Sequence, residues 1–217
     1  MDAGAPIFNN QPDITMISQN ILEKLNRQVN LEAVSSHLYL QMSAWLLSQE
    51  LDSTAAFFRG HADEEKYHMM KLFDYINETG SLALIGDVPI PAPSWSSHME
   101  LLEAAYAHEL KITASINDLV DAAFQEKDYS TFAFLQWYVA EQHEEEHLFG
   151  TLLHKARIIH TVDGRALFRF DEEVRKSVLH NDGHHQKNAP MFLQMGPSPC
   201  YHGGDEDSHH AASHSNH

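Results

Sequence analysis

Four glutamates, Glu32, Glu65, Glu109 and Glu145, each sit in the middle of a segment whose apolar residues recur at intervals of three, four and seven. One residue turns an α-helix by about 100°, so positions at those intervals share a face. Glu32 falls on the face of Ile21, Leu25, Val29, Tyr39, Leu46 and Leu47. Glu65 falls with Phe58, Ala62, Met69, Leu72 and Ile76, and His68 joins it one turn on. Glu109 lies among Leu102, Ala105, Tyr106, Ile112, Ile116 and Val120. Within roughly 80° either side of Glu145 lie Phe134, Leu135, Tyr138, Glu141, Gln142, Leu148, Phe149 and Leu152. The stretch "AEQHEEEHLFGTLL", Ala140 to Leu153, therefore divides. Glu141, Gln142 and Glu145 face inward, Glu144 sits at the margin, and His143 and His147 face out.

A lone glutamate on an apolar face is an ordinary rim position or a hydrogen-bonded core acid. Four together pose a different problem. Burying an unpaired carboxylate costs several kcal/mol even after relaxation. The four also repel one another, and no lysine or arginine lies centrally in these stripes. Their charge must be met by protons or by metal. His68, three residues after Glu65, adds a neutral nitrogen ligand. Two divalent ions would balance four carboxylates, and oxygen-rich ligation with one imidazole suits iron or manganese.

The segments that must position these acids read as long helices. They run roughly from Ile14 to Ser48, Ser53 to Glu78, Ser97 to Glu126 and Tyr129 to Ile159. Gly80 is a natural stop for the second, and Ser97 with Glu100 makes a capping box for the third. A shorter fifth helix is expected over Phe168 to Leu179. The first two helices are joined by a few residues around Leu51, the third and fourth by a few around Asp128, so each pair is an antiparallel hairpin. The connection between the pairs, Gly80 to Ser96 with Pro89, Pro91 and Pro93, is long. A helix of about 28 residues spans about 42 Å, and roughly 17 extended residues reach about 56 Å. The connection can therefore travel the length of a bundle. The expected fold is all-α, a four-helix bundle with one long crossover. It divides into an N-terminal arm (1–13), the bundle (14–160), a short fifth helix (161–180) and a His-rich tail (181–217) that reads as disordered.

Composition narrows the function classes. A net charge of −17 disfavours sequence-independent nucleic-acid binding and favours cationic partners. The single cysteine, Cys200, excludes an internal disulfide and any Cys-x-x-Cys centre, which suits a reducing cytoplasm. The N-terminus has no basic region followed by an apolar run, so it does not read as a signal peptide. No window is apolar for ~18 residues, so no membrane span is expected.

The segments "EKLNRQVNLEAVSSHLYLQMSAW", "FFRGHADEEKYHMMKLFDYI" and "FLQWYVAEQHEEEHLF" closely resemble the bacterial non-haem ferritins, with a match over roughly Ile21 to Ile159. Ferritin-like bundles combine single glutamates from some helices with Glu-x-x-His motifs from others around paired metals. The resemblance implies a ferroxidase centre with Glu32, Glu65 and His68 at one iron. Glu109 and Glu145 would hold the second iron, with Glu65 bridging and Gln142 close by. It implies a third iron site on Glu64, Glu141, Glu144 and Glu145, and places Tyr39 and Trp137 beside the centre as electron donors, Tyr39 the better placed. It also implies Fe(II) with dioxygen or hydrogen peroxide as reactants, and a cytoplasmic, homo-oligomeric shell of 24 subunits storing ferric mineral. Two departures stand out, one from the bacterioferritin branch and one in the tail. Leu148 follows Glu145 by three residues where bacterioferritin has histidine, and Lys66 stands where bacterioferritin has its haem methionine, so no haem is expected. The tail after Asn181 is also longer than the family usually carries.

His61, one turn before Glu65 on the inner arc, reads as a structural residue that orients a ligand. His108 reads as a surface histidine, and Met69 with Met70 as core filler. Asp121, Glu126 and Asp128 read as solvated acids near a turn, with lining of an entry pore as the sharper alternative. The tail histidines, His184, His185, His202, His209, His210, His214 and His217, read as a solvated extension, with weak metal gathering as the alternative. Two other functions fit the same bundle: a non-storage di-iron oxidase or peroxide scavenger, and a DNA-protecting mini-ferritin. The missing Cys-x-x-Cys pairs count against a rubrerythrin-type oxidase. The acidic tail and the ligand set within one bundle count against the mini-ferritin.

Overall fold

The computed structural model describes residues 16–160 and 168–175. The expected N-terminal arm and His-rich tail, and the end of the fifth helix, lie outside the described residues. The chain folds into four long helices, α1 (Gln19–Ser48), α2 (Asp52–Glu78), α3 (His98–Gln125) and α4 (Tyr129–His160). A short helix, α5, covers 168–175. Helix α1 packs along α2, α3 packs along α4, and α1 also meets α3. This is the all-α bundle with one crossover that the connection lengths predict.

Local chemistry sets the boundaries. Helix α1 starts at Gln19 rather than Ile14, because the Ser18 hydroxyl accepts the Ile21 amide and fixes the cap there. Three helix ends use one device. Glu50, Lys127 and Gly80 take positive φ angles of 60°, 59° and 78° just past α1, α3 and α2. In each, the next amide turns back onto the last helical turn: Leu51 to Leu46, Asp128 to Ala123 and Ser81 to Ile76. The left-handed residue reverses the chain, and two of these reversals create the tight hairpins. Asp128 then caps α4, accepting the Thr131 amide at 3.0 Å. At α3, Ser97 accepts the Glu100 amide at 3.2 Å, as a capping box requires. The Glu100 carboxylate, however, accepts the Ser96 amide, at 2.6 Å, so the reciprocal bond is displaced by one residue.

The crossover is held along α1. Asn26 accepts the Leu84 amide at 2.7 Å, Asn30 donates to the Leu84 carbonyl at 3.0 Å, and Gln41 donates to the Pro93 carbonyl at 3.3 Å. Trp95 then meets Trp45 edge-on. The segment thus runs from one end of α1 to the other and delivers α3 beside the start of α2.

Two apolar clusters fill the bundle. One gathers Tyr39, Met42, Leu46, Phe58, Leu101, Leu102, Phe149 and Leu152, and the other Ile21, Leu25, Val29, Leu72, Ile76, Ile112, Ile116 and Leu135. On every helix buried acids or their polar neighbours fall between the two sets: Glu32 on α1, Glu65 and His68 on α2, Glu109 on α3, Gln142 and Glu145 on α4, with Gln28 and His61 buried within one turn of them. The bundle is therefore two oily halves with a charged layer across the middle.

Candidate metal centre

Each central glutamate is where the helical face puts it. Glu32 is 1% exposed, Glu65 1%, Glu109 0% and Glu145 6%. Gln142 and His68 are buried as well. Glu141 and Glu64 are half-buried, and Glu144 is exposed with His143 and His147. Lys66 is exposed. Among the described residues no lysine or arginine is buried, so no fixed cation neutralises the layer.

Glu32, Glu65 and His68 bring one ligand atom each within 4.8 Å of one another, and so do His61, Glu64 and Glu145. Within the first trio, His68 Nδ1 lies 3.4 Å from Glu65 Oε2. Within the second, His61 Nδ1 lies 2.9 Å from Glu64 Oε2 and 3.6 Å from Glu145 Oε2. Glu109 joins neither trio directly. Its oxygens accept from the Tyr39 hydroxyl and from Gln142 Nε2, the latter at a long 3.5 Å. Glu32 Oε1 accepts from Gln28 Nε2 at 2.9 Å. The Tyr138 hydroxyl donates to the His68 carbonyl at 2.7 Å and ties α4 to α2 beside the trio.

Three carboxylate oxygens, Glu32 Oε2, Glu65 Oε2 and Glu145 Oε2, are buried with no hydrogen-bond partner. An unpaired buried acceptor costs about 1–3 kcal/mol, more when charged. Proton affinities show the strain. Burial, then the charge of Glu65, pushes Glu32 well above the usual carboxylate range. Burial raises Glu65 to about 7, although the adjacent Glu32 carboxyl opposes the rise. Burial, then the Glu32 charge, raises Glu109 to about 8. Burial raises Glu145 to about 8 against the opposing pull of His61. Burial by itself would lower His61, but Glu145 and Glu64 together outweigh it and its affinity for a proton rises. Without metal the layer is tolerated by holding protons. A divalent cation could displace those protons and satisfy the three orphaned oxygens at once.

A family model, the ferritin-like domain, matches residues 22–159. The chain belongs to the ferritin family. Over 159 residues it is 52% identical to a probable bacterial non-heme ferritin-like protein of Haemophilus influenzae, covering 73% of this chain and 96% of that protein. It is 47% identical, over the same shares, to the bacterial non-heme ferritin of Escherichia coli O157:H7. Among solved structures, Chlorobium tepidum ferritin is 80% identical with a TM-score of 0.68, covering 75% of this chain and 99% of that one. An open-pore ferritin from Archaeoglobus fulgidus is 41% identical with a TM-score of 0.71, covering 73% and 98%. No described helix of this ferritin-family chain is long and apolar enough to cross a membrane.

The sequence pattern missed three polar contributors. Gln28 lies one turn before Glu32, a spacing that could have exposed it. Thr113 and Ser115 bond the two glutamines of the layer and could not be paired with them without the register of α3. His108, expected at the surface, is half-buried with Nε2 2.8 Å from Ser35 Oγ, and burial lowers its proton affinity to about 4.

Proposed function

We propose that this ferritin-family chain stores iron and acts as a ferroxidase, oxidising Fe(II) at the layer between its two oily halves. The observation that carries this is the set of three orphaned carboxylate oxygens in a layer that, among the described residues, holds no buried lysine or arginine. Glu32, Glu65 and His68 hold one iron. Glu109 and Glu145 hold the other, with Glu65 between them and Gln142 alongside. Two Fe(II) ions lose one electron each, and dioxygen takes both electrons with two protons to leave hydrogen peroxide. Peroxide serves as a second oxidant in the same way. The protein's part is position and compensating charge. Tyr39, bonded to Glu109 and wedged against Phe58 and Phe149, is placed to pass one electron to the oxidant with its hydroxyl proton going to Glu109, and to be restored by an electron from a further Fe(II).

A third iron position lies at Glu64, Glu141, Glu144 and Glu145. Support comes from the second trio, in which His61 already bridges Glu64 and Glu145. The oxidised product passes to a mineral core inside a cytoplasmic 24-subunit shell, a reading that rests on the resemblance to the bacterial non-haem ferritins rather than on the single chain.

Adding Fe(II) aerobically to metal-free protein tests this. The expected result is rapid oxidation of about two Fe(II) per chain, then slower uptake into particles of shell mass. Fast oxidation by small particles that retain no iron would instead favour a non-storage oxidase, and no fast phase would refute the ferroxidase reading.

A further inference from the structure

The two glutamines of the charged layer are wired alike. Gln142 Nε2 faces Glu109, and its Oε1 accepts from the Thr113 hydroxyl at 2.9 Å. Gln28 Nε2 donates to Glu32 Oε1 at 2.9 Å, and its Oε1 accepts from the Ser115 hydroxyl at 2.6 Å. Both hydroxyls stand on α3, two residues apart, and each chain ends on a carboxylate of the centre. A carboxylate that binds iron is ionised and only accepts, so each amide must then present its NH2 to the acid. Its oxygen then points the other way and needs a donor, which the hydroxyl supplies. Gln28 is 0% exposed, and Ser115 is the donor that its oxygen finds.

The consequence differs between the two acids. Glu109 has both oxygens engaged, by Tyr39 and by Gln142. Glu32 has one oxygen engaged by Gln28 and the other bare, in the trio with Glu65 and His68. We propose that Gln28 and Ser115 are positioning residues of the centre: the Ser115–Gln28–Glu32 chain pins one carboxylate oxygen so that the other is presented to iron. The proposal rests on the reading of this layer as an iron centre. Pinning keeps Glu32 on one oxygen toward the metal and prevents it from turning both oxygens onto a single ion. Residues that orient a ligand in this way typically contribute about 10–100-fold in metal affinity.

The test uses metal-free, full-length protein under anaerobic conditions, titrated with Fe(II) by calorimetry and with Co(II) by absorption, whose ligand-field bands report coordination. Gln28→Leu is expected to weaken one of the two binding equivalents by about 10–100-fold, shift the Co(II) bands and leave the other equivalent unchanged. Ser115→Ala is expected to move both readouts in the same direction, and Ser115→Thr, which keeps the hydroxyl, to restore them. Glu32→Ala is the reference for the site itself. If Glu32→Ala loses the equivalent while Gln28→Leu and Ser115→Ala keep wild-type affinity and bands, the positioning role is overturned and the centre stands. If Glu32→Ala also binds normally, the reading of the centre falls and the proposal with it. Should Gln28→Leu fail to fold, Ser115, only half-buried, carries the test through its alanine and threonine variants.

Discussion

Replacing Glu145 by glutamine should make the metal-free protein more stable, and increasingly so as pH rises. Burial raises the Glu145 carboxyl from 4.5 to about 8. Between those values the folded protein keeps a proton that the unfolded chain has released. The stability linked to that proton is complete below about pH 4.5 and is lost as pH rises through about 8. Each pH unit inside that window costs up to about 1.4 kcal/mol. Glutamine has the same shape and no proton to lose, so the gap in favour of Glu145→Gln should widen by about 2–3 kcal/mol between pH 6 and 8. For a chain of this size that is roughly 4–12 °C in the midpoint of thermal unfolding. Thermal scans in the presence of chelator, at matched protein concentration, measure it. Anaerobic Fe(II) should reverse the order, because the ion binds the carboxylate and only the folded state offers the site. A gap that stays constant or narrows from pH 6 to 8 would refute the claim that this carboxyl is held protonated by burial.

Other outcomes follow from named contacts. Glu65→Ala combined with His68→Ala should abolish the fast phase of Fe(II) oxidation seen by stopped-flow absorbance, because both belong to the buried trio with Glu32. Tyr39→Phe keeps the ring packing but removes the hydroxyl that bonds Glu109; fast oxidation should slow severalfold while anaerobic Fe(II) stoichiometry stays unchanged. Asp171→Ala should lower stability by about 1 kcal/mol, roughly 2–4 °C in the unfolding midpoint, with no change in oxidation, since Asp171 accepts the Ser53 and Thr54 amides at the start of α2. Removing residues 181–217 should slow iron loading at low Fe(II) yet leave single-turnover oxidation intact, and equal loading by both proteins would remove the metal-gathering idea for the tail.

The burial of the four acids was legible because helical periodicity is strict over long segments and a charged residue on an apolar face stands out. Glu32, Glu65, Glu109 and Glu145 needed nothing beyond counting. The crossover was legible because chain length and helix length leave few routes. What escaped depended on distance in space. Helix α2 has no capping side chain at Leu51, its own cap position; the cap comes from Asp171 on α5. Ser115 and Thr113 look like ordinary polar positions of α3 until α1 and α4 are packed beside it. His61 was rightly placed on the inner arc, but its contact with both Glu64 and Glu145 required the approach of α4 to α2. The start of α1 was set five residues early because Ile17 continues the apolar face, whereas the Ser18 cap decides where the helix begins.

Crystals of the protein soaked anaerobically in Fe(II), with anomalous scattering recorded at the iron edge, test the central claim most directly. Two strong peaks should appear between the oily halves, one against Glu32, Glu65 and His68 and one against Glu109 and Glu145, with Glu65 touching both. A middle layer without iron, its four acids still holding only protons, would contradict the account.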